Sequence, residues 1–235
     1  MMASLLAGLA NFGVVLGASL EMLVRAPLGL LPRAQHNAHL AKFGAQLLHH
    51  ARAKLLTVGD FDRSKSYIVV SNHQSLYDIP VLFCSVGPQL RMVTKKELRA
   101  VPFWGRAMEE FDFIFIDRND RKGSHETLQA ATRIFEHGLS LWIAPEGTRS
   151  KDGQLGPFKM GAFHLALTSG YPILPVTIAG TRDMLPPGTV LTTLGVPVTV
   201  TIHSPIAPKE FGPNSSRSRK ALAEAVRQAI QSALP

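Results

Sequence analysis

Short apolar runs alternate with stretches of helical periodicity through most of this 235-residue chain. Tyr67-Ile68-Val69-Val70, Leu141-Trp142-Ile143-Ala144 and Ile173-Leu174-Pro175-Val176 are nearly continuous in apolar side chains. Strands of that kind are buried on both faces, and the helices between them supply the cover. The pattern predicts an α/β fold with a mostly parallel central sheet and helices on both faces. Strands are expected at about 67–71, 90–94, 112–117, 139–144 and 173–178, with shorter ones near 190–191 and 196–202. Helices are expected at about 78–86, 97–109, 123–137, 160–169 and 215–233, the last with Leu222, Val226, Ala229 and Ile230 on one face.

The first twenty residues carry no charged side chain. A helix of that length would cross a hydrocarbon core. Gly8, Gly13 and Gly17 weaken a simple spanning helix and favour one lying in the interface. A buried core helix is the third reading. The segment lacks the basic start and small-residue cleavage site of a secretory signal. Arg25 and Arg33 follow it, so a spanning helix would leave the body on the cytoplasmic side. Pro27, Gly29 and Pro32 mark a turn, and Leu40, Phe43, Leu47, Leu48 and Leu55 place an amphipathic helix over about 34–56. The expected division is thus a membrane-associated helical segment over 1–56 and one α/β domain over 57–235.

The formal charge of +8 favours anionic partners, among them lipid head groups, nucleic acid and phosphorylated metabolites. Arg91, Lys95, Lys96, Arg99 and Arg106 interleave with Leu98, Val101, Phe103 and Trp104. Cations beside apolar side chains suit an anionic membrane surface better than nucleic acid. The single cysteine, Cys84, excludes an internal disulfide and is expected to pack as a small hydrophobe. His36, His39, His49 and His50 have no cysteine or carboxylate in convergent spacing, so they read as helix-surface residues and no metal site is expected.

Chemistry concentrates where strands end. Asn72-His73-Gln74-Ser75-Leu76-Tyr77-Asp78 follows the first apolar run. A histidine is the natural base near neutral pH, and a carboxylate on Nδ1 would fix its tautomer. Residues i and i+5 do not share a helix face. The pair meets only if His73 lies on the bend and Asp78 in the first helical turn, with Asn72 helping to hold the bend. A capped helix start carrying a satisfied histidine fits the same residues. Pro145-Glu146-Gly147-Thr148-Arg149-Ser150 follows the second run. Its glycine admits close backbone approach, its threonine offers a hydroxyl, and its arginine presents a fork of donors to phosphate. Arg118, at another strand exit, and Lys159, just before a helix, are further candidates for a phosphate monoester. Asp117 paired locally with Arg118 is the plainer alternative there.

Taken in order, Asn72 to Asp78, Ile114 to Arg118, Pro145 to Ser150 and Ile173 to Val176 resemble the four blocks of the glycerolipid acyltransferases, and in particular the lysophosphatidate acyltransferases. Phe158 to Phe163 is also similar. The family usually has glycine where this chain has Asp112. The resemblance implies that His73 is the general base and Asp78 its partner. It implies that Arg118, Glu146, Gly147 and Arg149 bind the glycerol phosphate, with Thr148 and Lys159 beside them. It implies transfer of an acyl chain from acyl-CoA or acyl carrier protein to the hydroxyl of lysophosphatidic acid, without a further cofactor. Glycerol-3-phosphate or another lysolipid as acceptor, a thioesterase, and a non-catalytic binder of anionic lipid are the alternatives. The chain contains no Gly-x-Ser-x-Gly elbow for a covalent serine route.

Overall fold

A computed structural model describes residues 2–25, 28, 30–117 and 124–235. Pro27 and Gly29 of the expected turn, and Arg118, lie outside these. The chain runs α1 (Met2–Arg25), α2 (His36–His50), β1 (Lys54–Val58), β2 (Ile68–Ser71), α3 (Asp78–Ser85), β3 (Leu90–Lys95), α4 (Trp104–Glu110), β4 (Ile114–Ile116), α5 (Ser124–Glu136), β5 (Ser140–Ile143), α6 (Gly161–Ser169), β6 (Ile173–Ala179), α7 (Thr181–Met184), β7 (Pro197–Ile202) and α8 (Ser216–Gln231). Among the described residues, seven strands form one sheet in the order β1-β7-β6-β2-β5-β3-β4. Of their pairings only β6–β7 is antiparallel, and an isolated antiparallel bridge joins Ile173 to Ile206.

Alternate residues of the central strands feed two cores, as the pleat requires. Tyr67 and Val69 of the β2 run and Trp142 of β5 face α2 and α3, where Leu40, Leu48, Val81, Leu82 and Phe83 pack. Ile68, Val70 and Leu141 face α5, α6 and α8, where Phe135, Phe163, Leu222 and Val226 pack. Helices therefore cover both faces of the sheet. Pro175 sits within a central strand, yet its carbonyl accepts from His203 at the point where the β6–β7 ladder ends, so its missing N–H breaks no rung. The Ile173–Val176 stretch is thus interior strand and not an edge.

Several expectations are corrected. The helix over 34–56 stops at His50, and residues 54–58 form β1, paired with β7. The break between helical segment and sheet therefore falls before residue 54, not after 56. No strand forms at 190–191. The helix over 97–109 is divided: a 3₁₀ turn (Lys96–Ala100) and α4 flank a γ-turn centred on Phe103, φ 63°, closed by Trp104 N–H to the Pro102 carbonyl. Cys84 is exposed on α3, with its thiol raised by partial desolvation. His36 is buried, edge-on to Phe111 at 5.2 Å. Arg91 is also buried and donates to the Pro88 and Leu90 carbonyls and to Asn37, so it contributes nothing to a basic surface. Of the same run, Lys96 pairs with Asp117, Arg99 with Glu109, and Arg106 with Glu109 and Glu110.

The N-terminal helix packs along α2 and α4. Its body-facing side carries Ala7, Asn11, Ser19 and Met22; its outer side carries Leu5, Leu9, Phe12, Leu16, Leu20 and Val24, all exposed. It is long and apolar enough to cross a membrane. Met22 apart, the residues that face the protein are small or polar, while most of the large apolar ones face away, the reverse of a core helix.

Candidate active site

The carboxyl ends of β2, β5 and β6 adjoin one another, because β2 lies between the other two. Such a place gathers ligands in open α/β sheets. His73 follows β2, the Glu146–Arg149 loop follows β5, and Thr181 follows β6.

The bend at His73 is built from Asn72, whose side chain pairs with both the N–H and the carbonyl of Ile178 at 2.8 Å. This amide acts as one more rung of the sheet and ends β2 at a fixed place. The chain then turns into α3, and the Asp78 carboxylate reaches back across the turn. Its Oδ2 accepts from His73 Nδ1 at 2.7 Å, from the Gln74 amide at 2.7 Å and from the Ser75 amide at 3.0 Å. Its Oδ1 accepts from the Thr181 hydroxyl at 2.6 Å. Asp78 is fully buried, so all four donors act in a low-dielectric setting where an unpaired carboxylate would be very costly. With Nδ1 held as the donor, the imidazole presents Nε2 as a basic lone pair. The ring stands edge-on to Trp142, 5.4 Å between centroids, and the indole N–H is anchored to Ser71 Oγ. One face of the histidine is therefore fixed by packing and its rim by the carboxylate.

The loop after β5 lies alongside. Gly147 has φ +73°, the left-handed region that favours glycine, and the lysine stem crosses the loop beside it, with Lys159 Cε 2.9 Å from where a Cβ would stand. Lys159 is tied to the loop by its own N–H, which donates to the Pro145 carbonyl. Thr148 and Arg149 line the same cleft as His73 and Lys159. Glu146 differs. Its carboxylate points away from that wall, with Oε1 accepting from the His73 amide at 3.0 Å and Oε2 from the Gly156 amide at 2.9 Å. Burial pushes its carboxyl up, against the lowering effect of the two amides.

The cleft has a volume of about 3200 Å³, well beyond the roughly 300–1,000 Å³ of a common small-ligand pocket. From His73 it reaches α2, α3 and α4, with Phe43, Leu47, Ile79, Phe83 and Met92 among its apolar lining, and continues to α1. A basic imidazole with a cationic wall on one side and a long apolar groove on the other suits an amphiphile with an anionic head. The structure thus brings together His73, Asp78, Gly147, Thr148, Arg149 and Lys159, while Arg118 lies outside the described residues. Asp117, just before it, pairs with Lys96 at 2.8 Å. Thr181 was not anticipated; it stands 103 residues from Asp78 in sequence, and the only local signal is the preceding Gly180, φ +95°.

A histidine–carboxylate pair at the strand ends of an α/β sheet, opening on an amphipathic groove, has the arrangement of a group-transfer enzyme. A model of the family described as Acyltransferase matches residues 52–179, and the chain belongs to that family. It is 35% identical over 159 residues to a chloroplastic 1-acyl-sn-glycerol-3-phosphate acyltransferase of Brassica napus, covering 68% of this chain and 46% of that protein. It is 42% identical over 119 residues to the 1-acyl-sn-glycerol-3-phosphate acyltransferase of Haemophilus influenzae, covering 50% of each. The chain thus spans about half the length of these curated relatives. The crystal structure of the 1-acyl-sn-glycerophosphate acyltransferase PlsC from Thermotoga maritima superposes with a TM-score of 0.74 at 29% identity, over 98% of this chain and 96% of that one.

Proposed function

We propose that this protein transfers an acyl chain from an acyl thioester to the free hydroxyl of 1-acyl-sn-glycerol-3-phosphate, giving phosphatidic acid. The observation that carries this reading is the saturated Asp78 carboxylate, which commits His73 Nδ1 as donor and leaves Nε2 to act as base at the cleft. The names of the related proteins supply the acceptor class.

In this mechanism His73 Nε2 takes the hydroxyl proton as the oxygen attacks the thioester carbonyl. Asp78 steadies the imidazolium that forms. The tetrahedral intermediate collapses with loss of thiolate, a good leaving group because a thiol pKa is only about 8.5. The imidazolium then returns its proton to the thiolate or to solvent. Arg149 and Lys159 hold the acceptor's phosphate, with Arg118 as a third cation and Thr148 as a hydroxyl donor. Gly147 keeps that wall low enough for the phosphate to approach. The donor is acyl-CoA or acyl carrier protein, and no other cofactor or metal enters the scheme. Nucleic acid has no role in it. The protein works at an anionic membrane surface, with the helical segment that ends at His50 as its membrane-associated part and the catalytic domain on the cytoplasmic side.

The test is a single assay series with labelled acyl thioester and a panel of acceptors: lysophosphatidate, glycerol-3-phosphate, other lysolipids and none. Phosphatidic acid should form with lysophosphatidate; free fatty acid alone would make the protein a thioesterase. His73→Ala should lower kcat by roughly 10²–10⁴. A folded His73→Ala protein that esterified at the parent rate would sink the reading. Arg149→Lys should raise the acceptor KM, because one ammonium does not replace a two-pronged guanidinium.

A further inference from the structure

Every backbone polar group of His73 is engaged by the loop between β5 and α6. Its N–H donates to Glu146 Oε1 at 3.0 Å, and its carbonyl accepts from the Ser150 amide at 2.8 Å. That loop is held from behind. The second oxygen of Glu146 accepts from the Gly156 amide at 2.9 Å. Arg227, in the middle of α8, donates Nη1 to the Gly156 carbonyl at 2.6 Å and Nη2 to the Leu155 carbonyl at 2.8 Å. Its guanidinium also lies 5.3 Å from the centroid of the Phe158 ring. A continuous line of hydrogen bonds therefore runs from the last helix, through the Gly156 peptide and the Glu146 carboxylate, to the main chain of His73.

We propose that Glu146 and Arg227 are positioning residues that clasp the main chain of His73, and that neither touches substrate. The proposal rests on the reading of His73 as the base. Two observations and one electrostatic argument carry it. The cleft wall includes Pro145, Gly147, Thr148 and Arg149 but skips Glu146. Both carboxylate oxygens are occupied by backbone amides of two different segments. A carboxylate aimed at a phosphate monoester would also repel it, at about 1 kcal/mol even in water at 4 Å. Arg227 is matched to its task by its fork, since two carbonyls on adjacent residues need two donors in fixed relation.

Positioning of this kind acts on kcat, because a base displaced by even about 1 Å from the attacking oxygen costs up to about 10²-fold in rate. The experiment compares Glu146→Gln, Arg227→Met and the double variant in the purified full chain. Acyl transfer to lysophosphatidate is followed, with kcat, both KM values and Tm recorded. Glutamine keeps an acceptor for His73 but offers Gly156 an amide nitrogen or loses the first contact instead. Glu146→Gln should lower kcat about 10- to 100-fold with acceptor KM within about twofold. Arg227→Met, which retains the apolar stem, should lower kcat roughly 3- to 10-fold with the same unchanged KM. The double variant should fall no further than Glu146→Gln alone, because Arg227 acts through the same link. A rise in acceptor KM with kcat intact in Glu146→Gln would make the carboxylate a substrate ligand and overturn the proposal. So would a lowered Tm with unchanged kcat in Arg227→Met, or fully multiplicative losses in the double variant. Should Arg227→Met fail to fold, Arg227→Lys carries the same comparison, since its single ammonium cannot bridge both carbonyls. Full activity in His73→Ala would instead remove the base reading itself, and is separable from all these outcomes.

Discussion

Asp78 receives four hydrogen bonds, and only one of them is from the histidine it serves. The two from Gln74 and Ser75 shape the turn; the fourth, from Thr181, comes from beyond β6 and locks the far oxygen. Thr181→Val keeps the volume and deletes the hydroxyl, leaving Oδ1 buried without that donor. Stability should fall by about 1–3 kcal/mol in urea unfolding, and kcat should fall with it, since the carboxylate gains freedom to rotate away from Nδ1. Thr181→Ser should recover most of both; if valine were neutral, the hydroxyl would have no part in holding the dyad. Of these residues, His73 and Asp78 were legible in the sequence because their partnership spans only five positions across a strand exit. Thr181 was not, because the contact is made by sheet order, which places β6 beside β2, and not by spacing. Asp112 shows the converse. The family pattern prefers glycine there, and Asp112 adopts φ 60°, the left-handed conformation that aspartate tolerates better than most side chains.

At the scale of elements, the central strands were legible because both their faces are buried, which writes continuous apolar runs. Edge strand β1 was not. Lys54, Leu56, Thr57 and Val58 are exposed, so no two-sided burial marks the segment, and Leu55 extends the helical spacing of α2. The interrupted helix before β4 was missed for a different reason: Pro102 and Phe103 form a γ-turn, and the chain folds back locally so closely that a Cβ on Gly105 would collide with the Arg99 carbonyl. How α1 joins the body was hidden too, since, beside its packing on α2 and α4, the join includes one amide in an apolar helix. Asn11 Nδ2 donates to Tyr77 Oη at 2.5 Å, Asn11 Oδ1 meets His50 Nδ1 at 3.0 Å, and Tyr77 Oη meets Thr192 at 3.1 Å. Tyr77 immediately precedes Asp78, so this cluster ties α1, α2, the residue-192 loop and the start of α3 together. Asn11→Leu makes α1 more apolar while leaving Tyr77 and His50 to find other partners. Amide hydrogen exchange across residues 2–25 should accelerate and global stability should drop by about 1–3 kcal/mol, whereas a helix held only by apolar contact would exchange no faster.

For the molecule as a whole, the question is what covers the outer stripe of α1. Leu5, Leu9, Phe12, Leu16, Leu20 and Val24 form it, and α1 adjoins α4, whose preceding segment exposes Leu98, Val101 and Phe103. Val190 lies by Gly8 and is also exposed. Contiguous apolar surface of this kind marks a site of interaction, and a lipid interface accepts it without shape matching. The basic run beside it is largely self-neutralised, with Lys96, Arg99 and Arg106 in ion pairs, so its pull on anionic lipid is weaker than composition suggests. Attachment should therefore be dominated by the apolar term. Sedimentation with phosphatidylcholine vesicles should show binding that persists at high salt, and adding anionic lipid should strengthen it only modestly. Full burial of a leucine or phenylalanine contributes at least about 1.5 kcal/mol. If the interface realises only a third of that for each of three side chains, the sum is still about 1.5 kcal/mol, more than tenfold in partitioning. Leu5→Ser, Leu9→Ser and Leu20→Ser together should thus release the protein from vesicles by at least that factor. Turnover of a short-chain, freely soluble acceptor should be retained, because these three exposed side chains lie outside the cleft lining as well as the dyad and the cationic wall. Unchanged partitioning in that variant would mean that the stripe is covered by something other than lipid, and salt-labile binding in the parent would return the decisive role to the cations.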